Sequence, residues 1–408
     1  MAKRLPYPLT NKCLERYGDA RVRVGVASMQ GYRTNMEDEH AVALENKNHP
    51  RTSFFAVFDG HANLEAAQYC SQHLIPMIND SLSTVTRNGL KQSFVELDKK
   101  ILEFNVGGGS TAVLAMLEDM DVEAELQEQN EEKEECARWL EGECAEEGCP
   151  FVHSYDKNFL QSEGKVDVRA WKLQHGLSQQ HEQRSAKEAA NTSKKKLGKY
   201  KLTIANVGDS RAVLHCRSDA TFVPLTLDHV PTIPQEKKRI EHAGGTVRRA
   251  RVDRSLAMSR ALGDARYKQE DGLSLVEQRV SPLPDITVID ADEGDSLLLA
   301  CDGIFENLST KDVMSFLDKE LQRDKSDPAD ICSKLLDYAL QAGSNDNMTA
   351  MLVLLQDGTH YHSPDKQEYR IADRNACQDP LYQEAYLADL NRLGLSMSEV
   401  EQAALRRR

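Results

Sequence analysis

Phe54-Phe55-Ala56-Val57-Phe58-Asp59-Gly60-His61 is an apolar run that ends on an acid, a glycine and a histidine. A strand with no polar alternation is buried on both faces, so its end is the first place where polar chemistry can reach solvent. The pattern recurs. Leu202 to Val207 leads into Gly208-Asp209-Ser210, and Ser296 to Cys301 leads into Asp302-Gly303. A further run, Met351 to Leu355, follows Asn345-Asp346-Asn347. Acids at such strand ends can converge on one point. Helical periodicity lies between them, at Leu64 to Ile78 and at Gln235 to His242, the latter stopped by Ala243-Gly244-Gly245. Sheets covered by helices are expected, and the pattern leaves parallel and antiparallel pairing open.

A chain of 408 residues, 40% hydrophobic and 28% charged, has the makeup of a globular protein rather than a membrane or fibrous one. Its length suits one sizeable catalytic unit with additions. No internal repeat is visible. The opening Met-Ala-Lys-Arg-Leu-Pro lacks the apolar stretch of a signal peptide, and no apolar run approaches the roughly 20 residues that span a bilayer. Ala2 stands where N-myristoylation needs glycine. An intracellular location, cytoplasmic and/or nuclear, is expected, without a membrane partner. Cys13, Cys70, Cys216, Cys301, Cys332 and Cys377 are scattered and form no disulfide framework. The formal charge of −14 argues against a nonspecific grip on nucleic acid or anionic lipid.

Residues 118–199 break the rhythm, with Glu, Gln, Lys and Ser dominant, and read as an insertion. The main folded unit is then 1–117 together with 200–357, the expected catalytic domain if the motifs below carry chemistry. A tail follows at 358–408, in which Tyr382 to Leu393 reads as a helix. Ser396-Met397-Ser398-Glu399 forms a capping box for another, with Leu395 and Val400 as its hydrophobic staple. Docking or partner binding is the expected role of the tail.

Hard divalent cations such as Mg²⁺ and Mn²⁺ take oxygen ligands and keep several waters, so a few carboxylates suffice to hold them. Two such ions roughly 3.5–4 Å apart need a carboxylate that bridges them. One Asp-Gly after a strand is an ordinary turn. The ordered set here is more. Gly31-Tyr32-Arg33-Thr34-Asn35-Met36-Glu37-Asp38, Phe55 to His61, Gly109-Ser110-Thr111-Ala112 and Asn206 to Arg211 are followed by Asp228-His229 and Ala243-Gly244-Gly245. Leu256 to Asp264, Cys301 to Asn307 and Ser344 to Met348 complete it. This series resembles the metal-dependent protein phosphatase 2C (PPM) family over most of residues 22–356.

The resemblance implies an α+β fold: a central β-sandwich of two antiparallel sheets flanked by α-helices, with metals in a channel at one end. It implies hydrolysis of phosphoserine and phosphothreonine in proteins by a metal-bridging hydroxide, without a phosphoenzyme. Carried over by position, Asp59 bridges two Mn²⁺ or Mg²⁺ ions, Asp302 and Asp346 complete one, and Glu37 with the Gly60 carbonyl completes the other. Asp38 supports the ligands from behind, Arg33 binds the phosphate, and His61 protonates the leaving oxygen. A third ion would fall to Asp209, Asp302 and Glu306. Glu306 stands where the family has an aspartate, and its extra methylene moves the ligating oxygens, which leaves third-ion binding open. Val230 replaces a polar or basic residue beside the site. Arg248, Arg249 and Arg251 follow, facing either acidic or phosphorylated substrate segments or plain solvent.

Inside the insertion, Cys136, Cys144, Cys149 and His153, with Trp139 and Pro150-Phe151 between them, resemble a Cys-Cys-Cys-His zinc finger. Three thiolates and an imidazole make a closed tetrahedral Zn²⁺ site that can fold a segment with little core. Trp139, Phe151 and Tyr155 are able to stack RNA bases. Glu131, Glu132, Glu134, Glu135, Glu141, Glu143, Glu146 and Glu147 would repel the phosphates, so a structural or protein-docking finger is the expectation. Two other functions remain beside the phosphatase: a catalytically weak scaffold on the same fold, and an RNA-associated protein acting through the finger.

Overall fold

Thr52–Phe58 is a strand with every residue buried, and its side chains alternate between two cores. Phe55 and Val57 point into a cluster shared with Val24, Val113, Ile204, Leu299 and Met351. Phe54, Ala56 and Phe58 point the other way, onto Cys70, Leu74, Phe94 and Leu97. A sheet packed on another sheet within and on helices without has no polar face, which is why the sequence shows no alternation. The computed structural model describes residues 4–46, 51–81, 86–120, 200–323, 327–355 and 367–400.

One sheet has seven strands in the order β10-β9-β15-β16-β2-β1-β17. These are β1 (Arg4–Gly18), β2 (Val22–Arg33), β9 (Arg211–Cys216), β10 (Thr221–Pro224), β15 (Ser296–Ala300), β16 (Met348–Leu355) and β17 (Glu368–Arg370). The facing sheet runs β14-β8-β7-β4-β3. Its strands are β3 (Glu39–Ala43), β4 (Thr52–Phe58), β7 (Ala112–Asp119), β8 (Tyr200–Val207) and β14 (Asp285–Ala291). A small sheet joins β5 (Gly60–His61), β6 (Gly109–Ser110) and β13 (Leu262–Gly263), and β11 (Val247–Arg248) with β12 (Arg251–Val252) forms a hairpin. The ladders within both large sheets are antiparallel. This resolves the pairing that periodicity left open: helices on both outer faces make antiparallel strands read as continuously apolar.

Helices α1 (Glu65–Ser81) and α2 (Arg87–Glu103) cover the five-stranded sheet. A short α3 (Pro234–His242) lies in the connection that also carries the hairpin, packed through Ile240. The seven-stranded sheet is covered by α4 (Asp302–Phe305), α5 (Thr310–Leu321) and α6 (Pro328–Gln341). The N-terminal strand and the tail share a satellite core. Leu5 and Leu9 of β1 pack on Tyr382, Ala385, Tyr386 and Leu390 of α7 (Pro380–Arg392). The Ser396 capping box forms, with Ser396 N donating to Glu399 Oε2 at 2.8 Å and Glu399 N to Ser396 Oγ at 3.3 Å. Leu395 and Val400 both pack on this core, as a staple would.

Strands β7 and β8 pair from Ala112↔Val207 to Asp119↔Tyr200. The insertion therefore leaves and re-enters at one end of the sandwich, while Thr111 and Gly208 lie at the other. The scattered cysteines are free thiols. Among the described residues, no helix is long and apolar enough to cross a membrane.

Candidate metal centre

Asp59 is fixed where β4 ends. Thr111 N donates to its carbonyl at 2.9 Å, and its own N–H donates to Thr111 Oγ1 at 3.1 Å. Thr111 Oγ1 in turn lies 2.8 Å from Ser210 Oγ, so the Gly-Ser-Thr and Gly-Asp-Ser turns brace the strand end together. Asp302 begins α4 one residue after β15, and its charge acts on Asp59.

Two glycines allow the remaining segments to close in. A Cβ on Gly303 would lie 1.9 Å from the Asn347 carbonyl, and one on Gly60 would lie 2.3 Å from the Glu37 carbonyl. The Asp302–Gly303 turn thus rests on the Asp346–Asn347 loop, and Glu37 on the Asp59–Gly60 turn. Asn347 clamps the arrangement. Its Nδ2 donates to the carbonyls of Gln30 at 2.8 Å and Asn35 at 3.0 Å, and its Oδ1 accepts from Glu37 N at 2.9 Å. In the sequence an Asn beside Asp346 reads as turn chemistry, and no local pattern shows this clamp.

The electrostatics are those of acids pressed on acids. Burial, then the charges of Asp302, Asp38, Asp346 and Asp209, push Asp59 well above its ordinary value. Burial, Asp209 and Asp346 do the same to Asp302. Asp38 is pushed up to about 7, mainly by burial. Asp209 is pushed up to about 6 by burial and then by Asp228. Glu37 is raised by burial as well.

Asp38 is closer to the centre than a supporting role alone would suggest, since ligand atoms of Asp38, Asp59 and Cys301 lie within 4.8 Å of one another. Thr349 Oγ1 donates to Asp38 Oδ2 at 2.8 Å, while Asp38 Oδ1 and Asp209 Oδ1 are buried without a partner among the described residues. Two arginines stand near: Arg33 Nη2 donates to Asp346 Oδ2 at 2.5 Å, and Arg211, paired with Asp228, also lies in the field of Asp209 and Asp302. Buried carboxylate oxygens without hydrogen-bond partners, in a cluster with more acids than cations, fit hard divalent cations.

His61 Nε2 lies 2.7 Å from Asp264 Oδ2. Burial alone would lower its pKa, but the bond to Asp264 and its charge, aided by Asp209 and Glu37, raise it. His61 Nδ1 is buried without a partner among the described residues. Asp264 adopts a left-handed backbone (φ 57°), with its N–H on the Gly108 carbonyl at 2.9 Å. Its signal in the sequence is its place at the close of the Leu256–Asp264 motif, which does not reveal the pairing with His61.

Glu306 Oε2 accepts from Asn345 N at 2.7 Å and from Ser344 Oγ at 3.3 Å. It thereby holds the loop that carries Asp346. Arg211 grips Asp228 with Nε at 2.9 Å and Nη2 at 2.7 Å. His229 accepts from Gly208 N at 3.0 Å, and burial lowers its pKa. Both read as scaffolding of the Gly-Asp-Ser turn. Arg248, Arg249 and Arg251 lie exposed on the β11–β12 hairpin. Cys136, Cys144, Cys149 and His153 lie outside the described residues.

The protein phosphatase 2C family model matches residues 22–127 and 153–348. Protein phosphatase 1B of Homo sapiens is 33% identical over 334 residues, which cover 81% of this chain and 57% of that protein. A probable protein phosphatase 2C 21 of Arabidopsis thaliana is 30% identical over 363 residues, covering 86% and 92%. Among solved structures, a phosphatase from a pathogenic strain of Toxoplasma gondii superimposes with a TM-score of 0.64 at 27% identity, covering 88% of this chain and 100% of that one. The chain belongs to the protein phosphatase 2C family, a family of metal-dependent protein serine/threonine phosphatases.

Proposed function

We propose that this chain hydrolyses phosphoserine and phosphothreonine in proteins, with two Mn²⁺ or Mg²⁺ ions held by its strand-end acids. The observation that carries the reading is the cluster itself: Asp59 and Asp302 are raised by burial and by one another's neighbours, with Arg33 as the adjoining cation. Asp59 would bridge, Asp302 and Asp346 would complete one ion, and Glu37 with the Gly60 carbonyl the other. Glu306 already bonds the 344–345 loop, so a third ion at Asp209 would have to draw it away.

Bound there, such ions lower the pKa of water and offset phosphoryl charge. The protein's own groups do the rest. Arg33 turns a planar fork toward the site, and only its Nη2 is engaged by Asp346, so its other N–H groups are placed to bind phosphoryl oxygens. His61, whose pKa the contact with Asp264 raises, would deliver a proton to the leaving serine or threonine oxygen. Asp264 orients the ring and stabilises its charged form. The attack is direct, by water. Cys301, the thiol at the centre, is pushed far above its ordinary value by burial and by Asp38, Asp59 and Asp302, which disqualifies it as a nucleophile.

The insertion is read as a recognition element, with Zn²⁺ at Cys136, Cys144, Cys149 and His153. Its attachment beyond Asp119↔Tyr200, at the opposite end of β7 and β8 from Thr111, supports targeting rather than catalysis. The test is phosphate release from a phosphothreonine peptide by EDTA-treated protein. Turnover should return with Mn²⁺ or Mg²⁺. Equal turnover in EDTA, or none with either ion, would overturn the proposal.

A further inference from the structure

The segments that carry Glu37 and follow His61 also form one wall of a cleft of about 280 Å³. The opposite wall is the tail: Ala388, Asp389 and Arg392 of α7 face Thr34, Asn35 and Asn63 across it. A side chain with almost no exposure sets that wall in place. Asp389 Oδ2 accepts from Asn11 Nδ2 of β1 at 3.0 Å, while its Oδ1 accepts from Arg392 Nε at 2.9 Å and Nη2 at 2.7 Å. The carboxylate therefore locks the helix to the sheet and fixes the guanidinium at the cleft, with Nη1 making no hydrogen bond among the described residues. Asn63 Oδ1 caps α1 at Glu65 N, 3.0 Å away, which turns its amide NH₂ into an available donor. Ala388 is exposed and small, so the wall is open.

We propose that this cleft seats the substrate's polypeptide beside the phosphorylated residue, and that Arg392 selects an acidic side chain there. The inference rests on the phosphatase reading, because it is the metal-ligand segment 34–37 that joins the cleft to the reacting phosphate. Polar side chains on both walls suit the N–H and C=O groups of an extended strand, which must find partners when they leave water. A volume of 280 Å³, roughly 6.5 Å on a side, accommodates about two residues of extended chain. The acidic residue thus falls within about two positions of the phosphoresidue. The tail becomes a specificity element rather than an appendage.

The test compares para-nitrophenyl phosphate, which has no polypeptide to seat, with two phosphothreonine peptides bearing Asp or Lys two residues from the phosphothreonine. Ala388→Trp, which fills the cleft from an exposed position, should raise KM about fivefold or more for both peptides and leave the small substrate within about twofold. Arg392→Glu should weaken the Asp peptide about threefold and strengthen the Lys peptide comparably, with Arg392→Lys keeping the wild-type order. If Arg392→Glu loosens the tail, Ala388→Trp and Arg392→Lys still decide. Peptide KM values unchanged by Ala388→Trp would overturn the inference. So would losses shared equally by the small substrate, which mark a merely structural role. Inactivity of the wild type on all three substrates with Mn²⁺ would instead overturn the phosphatase reading on which this one stands.

Discussion

Asp98 on α2 and Asp59 at the end of β4 are both buried acids, but their neighbours differ in sign. Asp98 lies 2.7 Å from Lys268 Nζ, both side chains being 0% exposed, and it also accepts from Gly263 N at 2.7 Å. Burial raises Asp98, and Lys268 pulls it back down. Around Asp59 stand Asp302, Asp38, Asp346 and Asp209, all of which push in the same direction as burial. A buried charge without a partner costs several kcal/mol. Where an acid serves the fold, this chain supplies the cation from its own sequence. Where acids are set against acids, the proposed metal ions would bring the compensating charge from solution.

The sharpest way to break this contrast is to remove one acid from each place. Asp59→Asn should lower metal-dependent phosphate release by about 10³-fold or more, equivalent to about 4 kcal/mol of transition-state stabilisation. The metal-free protein should melt at the same temperature or higher, since a like charge has gone. A metal-free variant that melts well below wild type would mean that Asp59 is structural, as Asp98 is.

At the other place, Lys268→Met leaves Asp98 buried without its cation and should destabilise the fold by about 3–5 kcal/mol, read from urea denaturation. A change under about 1 kcal/mol would erase the distinction. Both Lys268 and Asp98 bond the 261–263 segment that precedes Asp264, so the pair also underlies the His61 dyad.

A smaller effect concerns pH. Asp38 and Asp209 have folded-state values of about 7 and about 6, above the roughly 4 of an unfolded aspartate. An acid raised on folding binds more protons in the native state, so its stabilisation is complete below about pH 4 and is lost as pH rises through the folded value. Metal-free protein should therefore lose thermal stability between about pH 4 and 7. Excess Mn²⁺ should flatten or reverse that decline near neutrality and raise the melting temperature there by about 5 °C or more. Identical pH profiles with and without Mn²⁺ would count against cation binding at these acids.

The strand-end acids were legible because an apolar run buried on both faces admits polar groups only at its ends, and Asp59, Asp302 and Asp346 follow that rule. The roles of Glu37, Arg33 and His61 came from the resemblance, since an acid, an arginine and a histidine in a loop carry no periodicity. Asp264, Asn347 and Glu306 were not legible in their actual contacts. His61 and Asp264 meet across 203 positions of sequence, and Asp264 needs a left-handed backbone that no local pattern announces. The N-terminal strand is illegible for another reason. Pro6 and Pro8 argue against a strand, and β1 accommodates them where its register with β2 shifts between Arg4 and Leu9. That strand receives the tail, so the cleft between α7 and Glu37 was invisible as well.

Equilibrium dialysis of metal-stripped protein against Mn²⁺ tests the central contrast most directly, with wild type, Asp59→Asn and Asp98→Asn run side by side. Two tightly held ions per chain are expected for wild type and Asp98→Asn, and weakened binding at both positions for Asp59→Asn, because it would lose the bridge. Retention of two ions by Asp59→Asn, or none by wild type, would contradict the account.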